Sequence, residues 1–192
     1  LGDVYKRQIL NRDRESGECV TQTDGMNKLQ PIYRDLLEAY VEAVRLHFSD
    51  RLKSVCLFGS IARGEASPES DMDVLVVAEG LAPDIGSRIS ETNYIHMALK
   101  KDEAYLKLKQ QGRCGFISDI LLTPSEVQKH PPILLDMVDD GLVIFDRDRF
   151  LEHVFLAVRR RLRELCAVKV KTGKGWYWIL KPDAKPGEIV EI

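Results

Sequence analysis

The carboxylates Asp71 and Asp73, one residue apart at the mouth of the apolar run Val74-Leu75-Val76-Val77, are the first residues in this chain whose types and spacing could do chemistry. In an extended strand alternate residues share a face, so both acids emerge on one side while Met72 and Val74 pack on the other. Two carboxylates that close raise each other's pKa unless a cation sits between them. A hard divalent ion such as Mg²⁺ fits that need, bound by one or two carboxylates together with substrate phosphate oxygens. Upstream, Leu57-Phe58-Gly59-Ser60 ends a second apolar run and turns into a short helix through Ile61-Ala62-Arg63-Gly64. Glycine lets the backbone approach a ligand, and N–H groups at a helix start attract anions. Ser60 adds a hydroxyl donor and Arg63 a cation for a phosphate oxygen. The two ends together predict a triphosphate gripped at Gly59-Ser60 and bridged by metal to Asp71 and Asp73. No G-x-x-x-x-G-K-[ST] occurs, so this is not a Walker loop.

The elements that must hold these residues are legible in the pattern of apolar positions. Pro31 to Phe48 reads as a helix, with Pro in its first turn and Tyr33, Leu36, Leu37, Tyr40, Val41 and Val44 on one face. Ser54–Phe58 and Val74–Val77 read as buried strands, too continuously apolar to have a wet face. The mixed stretch that follows Gly80-Leu81-Ala82-Pro83 and runs to Gln111 reads as helix on the outside of the sheet. Phe116–Leu122 is predicted as a third strand and Leu142–Phe145 as a fourth, with short helices opening at Thr123-Pro124-Ser125-Glu126 and at Pro131-Pro132. From Arg147 to Cys166 the spacing of Leu151, Val154, Phe155, Val158, Leu162 and Leu165 predicts the clearest helix of the chain. Trp176-Tyr177-Trp178-Ile179-Leu180 and Glu188–Ile192 suggest a short β-hairpin or β-addition.

Asp119 stands alone inside the apolar run Phe116–Leu122. Such an acid is costly unless it is paired or binds metal. Its alternative role is a carboxylate hydrogen-bonded at a sheet edge.

Gly59-Ser60, ten residues and then Asp71-Met72-Asp73 resembles the signature of the polymerase-beta-type nucleotidyltransferase superfamily, and the compact chain resembles its minimal nucleotidyltransferases. The resemblance spans about residues 31 to 145. It implies an α/β (α+β) fold, a small mixed sheet flanked by helices, here followed by a C-terminal helix and hairpin. It also implies a third carboxylate on a neighbouring strand, for which Asp119 is the match. Asp71, Asp73 and Asp119 would then hold two Mg²⁺ ions, one on the triphosphate and its leaving pyrophosphate, the other activating an acceptor hydroxyl. The implied reaction is metal-dependent transfer of a nucleoside monophosphate, foremost AMP from ATP, to a hydroxyl on a protein, RNA or small molecule. Minimal members often pair with a HEPN-type ribonuclease toxin, which makes an antitoxin role the expectation. Two rivals stand beside it: a non-catalytic nucleotide-binding or partner-neutralising module, and an antibiotic-modifying nucleotidyltransferase, for which little chain is left to build an acceptor domain.

Composition adds limits. With 192 residues, 44% apolar, 30% charged and a formal charge of -2, the chain suits one core and names no nucleic-acid or membrane partner. Residues 1–30 read as a poorly ordered extension, of which Leu1–Gln8 resembles adapter read-through; 31–146 as the nucleotidyltransferase domain; and 147–192 as an addition packed on it. Cys19, Cys56, Cys114 and Cys166 lack metal spacing and are expected as reduced, mostly buried thiols of a soluble cytoplasmic protein. His47, His96, His130 and His153 are scattered and are expected at the surface or at caps. The run Arg159-Arg160-Arg161 with Arg163 reads as a solvated face, and the Trp-rich segment as a strand whose alternate aromatics cover the core.

Overall fold

The structure, a computed structural model, describes residues 29–173 and 175–192. The expected N-terminal extension therefore falls almost wholly outside the described residues, as does Cys19. Helix α1 (Pro31–Phe48) starts where its proline needs no N–H partner and buries Tyr33, Leu36, Leu37, Tyr40, Val41, Val44 and Phe48. Strand β1 (Leu52–Phe58) leads into the four-residue α2 (Gly59–Ala62), and β2 (Met72–Ala78) returns.

The stretch expected as one outer helix is two. α3 (Ile85–Leu99) is capped by Asp84, whose carboxylate accepts from Ser87 N–H at 2.8 Å; α4 (Glu103–Gln110) is capped by Asp102, which accepts from Ala104 N–H at 2.8 Å. The second cap sets a fresh helix start inside the amphipathic run. Next come β3 (Ile117–Leu122) and α5 (Pro124–Val127), opened by a capping box in which Thr123 and Glu126 satisfy each other's backbone N–H. A 3₁₀ turn (Pro132–Asp136), β4 (Leu142–Asp146), α6 (Phe150–Glu164) and a hairpin of β5 (Val168–Thr172) with β6 (Gly175–Ile179) complete the chain.

The main sheet has the order β3-β2-β1-β4, with β1 antiparallel to β2 and β4, and β2 parallel to β3. It is a mixed sheet covered on both faces, the arrangement expected for an α+β nucleotidyltransferase fold. One face carries Val55, Leu57, Met72, Val74 and Val76 against α1, α3 and α4. The other carries Cys56, Phe58, Leu75 and Val77 against α5, the 3₁₀ turn and α6. Leu151, Val154, Phe155, Val158 and Leu162 anchor α6, each burial contributing about 1.5–3 kcal/mol.

Helix α6 begins three residues later than its periodicity predicts. The buried Asp146 explains the difference: it accepts from Leu151 N–H and Glu152 N–H, each at 3.0 Å, and from the Ser54 hydroxyl at 2.6 Å. Residues 147–149 arch over that carboxylate, with Asp148 and Arg149 at φ 55°.

Three expectations need correction. The partner of the Trp-rich strand is β5 rather than Glu188–Ile192, because Val168-Lys169-Val170-Lys171-Thr172 lies antiparallel to it in register. Of the described cysteines Cys56 is buried, Cys114 half-buried and Cys166 exposed, so the thiols are not mostly buried. The basic face of α6 is only partly solvated: Arg159 donates to the Val138 carbonyl and Arg161 to the Glu191 carbonyl at 3.0 Å, while Arg160 and Arg163 are exposed. No helix among the described residues is long and apolar enough to cross a membrane.

Candidate active site

The chain brings Gly59 and Asp73 together because β1 and β2 are antiparallel and Phe58 lies opposite Asp73. Between them, Arg63 N–H bonds to the Gly59 carbonyl at 3.2 Å and Glu65 N–H to the Ser60 carbonyl at 2.9 Å, winding the backbone through a single helical turn. A second turn closes on itself: Ser67 N–H donates to Ser70 Oγ at 2.9 Å and Ser70 N–H to the Ser67 carbonyl at 3.2 Å. Cys114 N–H fixes that loop to the sheet edge through the Pro68 carbonyl at 2.7 Å. The ten-residue separation is thus one helical turn, one serine-bonded turn and the return into β2.

Gly59 sits at φ +76°, and a Cβ on it would come 2.2 Å from Asp73 Oδ2. Only glycine permits both the backbone conformation and this approach. Asp73 is half-buried, and its pKa is pushed up to about 6, first by burial and then by Asp71, with Asp136 adding to the rise and Arg63 opposing it. The bare α-carbon, the two like charges and the partial desolvation describe a place where a cation relieves repulsion. Asp71 and Asp73 fit one hard divalent ion shared with phosphate oxygens. Among the described residues no three His, Cys, Asp or Glu side chains are grouped to hold a metal by themselves.

Arg63 stands close enough to affect Asp73, while its Nε donates to Glu65 Oε2 at 2.9 Å. An incoming phosphate would compete with Glu65, an exposed partner whose ion pair is weak in water.

The structure does not bring Asp119 to these residues. β2 and β3 are parallel with Asp73 opposite Ser118 and Val74 opposite Asp119. Paired residues share a face, so Asp119 leaves the sheet with Val74, on the side of α1 and α3. There it accepts from the Tyr40 hydroxyl at 2.8 Å and from His96 Nε2 at 2.9 Å. Burial raises its pKa, but the His96 and Tyr40 hydrogen bonds outweigh that and hold it below the ordinary value. The expectation of Asp71, Asp73 and Asp119 as one three-carboxylate site is therefore corrected by register, and the sheet-edge alternative describes Asp119. His96 is likewise no plain surface residue.

Sequence reasoning missed a different acid. Asp136, at the end of the 3₁₀ turn between the buried Leu134 and Met137, lies in the electrostatic reach of Asp73, Arg63 and Lys169. Burial raises its pKa while Arg63 and Lys169 hold it down. Its only sequence signal was an acid in the run Leu134-Leu135-Asp136-Met137, with no spacing to Asp73. The hairpin also approaches this side of the molecule. Lys169 pairs with Asp139 at 2.9 Å and lies 4.3 Å from the Trp176 ring centroid, and the pKa of Glu65 is lowered chiefly by its hydrogen bond to Arg63, with a small further contribution from Lys171. Trp176 and Trp178 share the inward face of β6 and Tyr177 points out, as the alternation of aromatics predicts.

Residues 37–127, which include Gly59, Ser60, Arg63, Asp71, Asp73 and Asp119 but neither Asp136 nor the hairpin, match the nucleotidyltransferase domain family. A relative from Methanocaldococcus jannaschii, under the provisional name protein adenylyltransferase MJ1305, is 27% identical over 150 residues, covering 77% of this chain and 95% of that protein. A second from the same organism, with the corresponding provisional name MJ0604, is 40% identical over 43 residues, 22% of this chain and 43% of that protein. Among solved structures the chain is similar to one from a toxin–antitoxin complex with AMP-PNP, at 16% identity over 66% of this chain and 90% of that one, with a TM-score of 0.40. It is also similar to one from the Shewanella oneidensis complex of MNT antitoxin with tri-AMPylated HEPN toxin, at 15% identity over 67% and 90%, with a TM-score of 0.37. The Gly59-Ser60 and Asp71-x-Asp73 geometry lies inside the matched segment, so the likeness to a nucleotidyltransferase domain and the likeness to a protein under the provisional name of an adenylyltransferase meet on the same residues.

Proposed function

We propose that the protein transfers AMP from ATP to a hydroxyl of a protein acceptor, with release of pyrophosphate. The observation that carries this reading is the approach of the Asp73 carboxylate to the bare backbone of Gly59, with Asp71 beside it and Ser60 next in the chain. The likeness to the M. jannaschii relative, over almost its full length, supports AMP as the group and protein as the acceptor class. Gly59 and Ser60 position the triphosphate, Arg63 exchanges Glu65 for a phosphate oxygen, and Asp71 and Asp73 hold a divalent cation, Mg²⁺ by its preference for carboxylate and phosphate oxygen. When bound, that cation neutralises charge on the departing pyrophosphate and favours ionisation of the acceptor hydroxyl. The acceptor oxygen forms a bond to the α-phosphorus as the bond to the bridging oxygen breaks in line, and the hydroxyl proton leaves to solvent. A HEPN-type toxin, the partner the family resemblance implies, is the first acceptor to test, ahead of RNA or a small molecule.

The test incubates the protein with Mg²⁺, a candidate HEPN partner and ATP labelled at either the α- or the γ-phosphorus. Label passing to the partner from α-labelled ATP alone supports AMP transfer. No transfer from any of the four α-labelled triphosphates, under conditions where an active relative labels the same partner, overturns it. Partner neutralisation that persists in Asp73→Asn without product would favour the binding-module reading instead.

A further inference from the structure

Turning Asp119 away from the catalytic face gives it a place in a second cavity. Between α3, α4 and the start of β3 lies a space of about 500 Å³, and Gly59, Ser60, Asp71 and Asp73 take no part in its walls. Tyr105 forms one wall because residue 115 is glycine: a Cβ there would meet the Tyr105 ring at 2.6 Å. Phe116, Met97 and Ile89 contribute apolar surface and are themselves largely exposed. At one end stands the hydrogen-bonded pair of His96 and Asp119, whose side chains are only 22% and 11% exposed. Asn93 and Lys100 also line the space and are exposed.

This combination is selective. A carboxylate among apolar walls is costly to keep, and donors from two different helices hold it in place: Tyr40 from α1 and His96 from α3. The Asp119 carboxylate offers only acceptors to whatever enters this end of the space. An aliphatic ligand would leave this acceptor-bearing end unmatched. A flat ring with N–H donors on its edge would meet it while its faces lie against Tyr105 and Phe116. The volume falls in the range of small-molecule sites, and Lys100 and Asn93 provide donors for a sugar or phosphate.

We propose that this cavity is a second ligand site, separate from the carboxylate pair, that takes the base of a nucleoside or nucleotide. It would let the chain sense a nucleotide on the opposite side of the sheet from the one where the transfer is proposed to occur. The inference does not rest on the transfer reaction, and its test omits metal so that the two stand or fall separately.

The experiment titrates the full chain in EDTA, by calorimetry, with adenosine, guanosine, cytidine and uridine and with their monophosphates. Saturable one-to-one binding by at least one of these is expected. Met97→Trp, which fills the space from an exposed position, should weaken it at least tenfold, and Asn93→Trp provides a second, independent obstruction. Asp73→Asn should leave it within twofold. Lys100→Ala should weaken the monophosphate several-fold and the nucleoside little if a phosphate is read; equal effects on both make the nucleoside the ligand. The proposal is overturned if no probe binds, or if binding is lost in Asp73→Asn and retained in both tryptophan variants.

Discussion

Asp73 and Asp119 lie on adjacent parallel strands one residue out of phase, so their carboxylates leave the sheet on opposite faces. One reaches Gly59 and the other reaches Tyr40 and His96. That single offset separates the proposed transfer site from the cavity behind it.

Gly59 and Gly64 make a matched pair of tests. Both have φ near +75°, but a Cβ at Gly59 would strike Asp73 Oδ2 at 2.2 Å, whereas nothing lies within 4 Å of one at Gly64. Gly64→Ala is expected to cost about 1–2 kcal/mol of stability from backbone conformation alone. Gly59→Ala should cost the same or more and also displace the carboxylate, lowering transfer about a hundredfold, as misplacement by about 1 Å does elsewhere. Chemical denaturation together with the labelling assay reads both, and equal activity losses in the two variants would refute the close-approach argument.

Arg88 and Glu126 predict an acid-dependent change in stability. Arg88 grips Glu126 through two bonds of 2.9 and 2.8 Å, and this, with the Thr123 backbone bond, brings the Glu126 pKa down to about 2 against partial burial. A depressed carboxylate stabilises the fold above its unfolded value near 4.5 and loses that contribution as pH falls toward 2. Glu126 is 36% exposed, so water screens the pair and about 1 kcal/mol is the expected size. Urea midpoints of the native chain and Glu126→Gln should differ at pH 6 and converge near pH 2.

Asp146 is the buried acid on which the start of α6 depends. Asp146→Ala leaves Ser54 Oγ and two backbone N–H groups of the first turn without their acceptor, and about 2–3 kcal/mol of stability should be lost. Thermal unfolding measures it, and a shift no larger than that of an exposed alanine substitution would contradict the capping role.

Much of this molecule was readable from residue spacing because the signals were local. Apolar runs and periodicity placed α1, β1, β2, β3, β4 and α6, and the Gly-Ser and Asp-x-Asp motifs pointed to one shared site, while the close approach of Gly59 to Asp73 came from the antiparallel pairing of β1 and β2. The face of Asp119 was not local information. It depends on which residue of β2 stands opposite Ser118, a register set by long-range pairing, and one step in that register reverses every side chain. Asp136 was hidden for a related reason, since a 3₁₀ turn far along the chain carries no period that points at Asp73. The break between α3 and α4 could have been read from Asp102, a cap residue inside the amphipathic stretch.

The division of roles between the two faces is tested most directly by comparing Asp73→Asn with Asp119→Asn in single-turnover transfer from α-labelled ATP, both confirmed folded. Asp73→Asn should lower the rate about a thousandfold, the loss of several kcal/mol of charge stabilisation. Asp119→Asn should stay within about threefold while losing about 1–2 kcal/mol of stability from its Tyr40 and His96 bonds. An Asp119→Asn rate as low as that of Asp73→Asn would contradict the account, placing Asp119 back among the reacting groups.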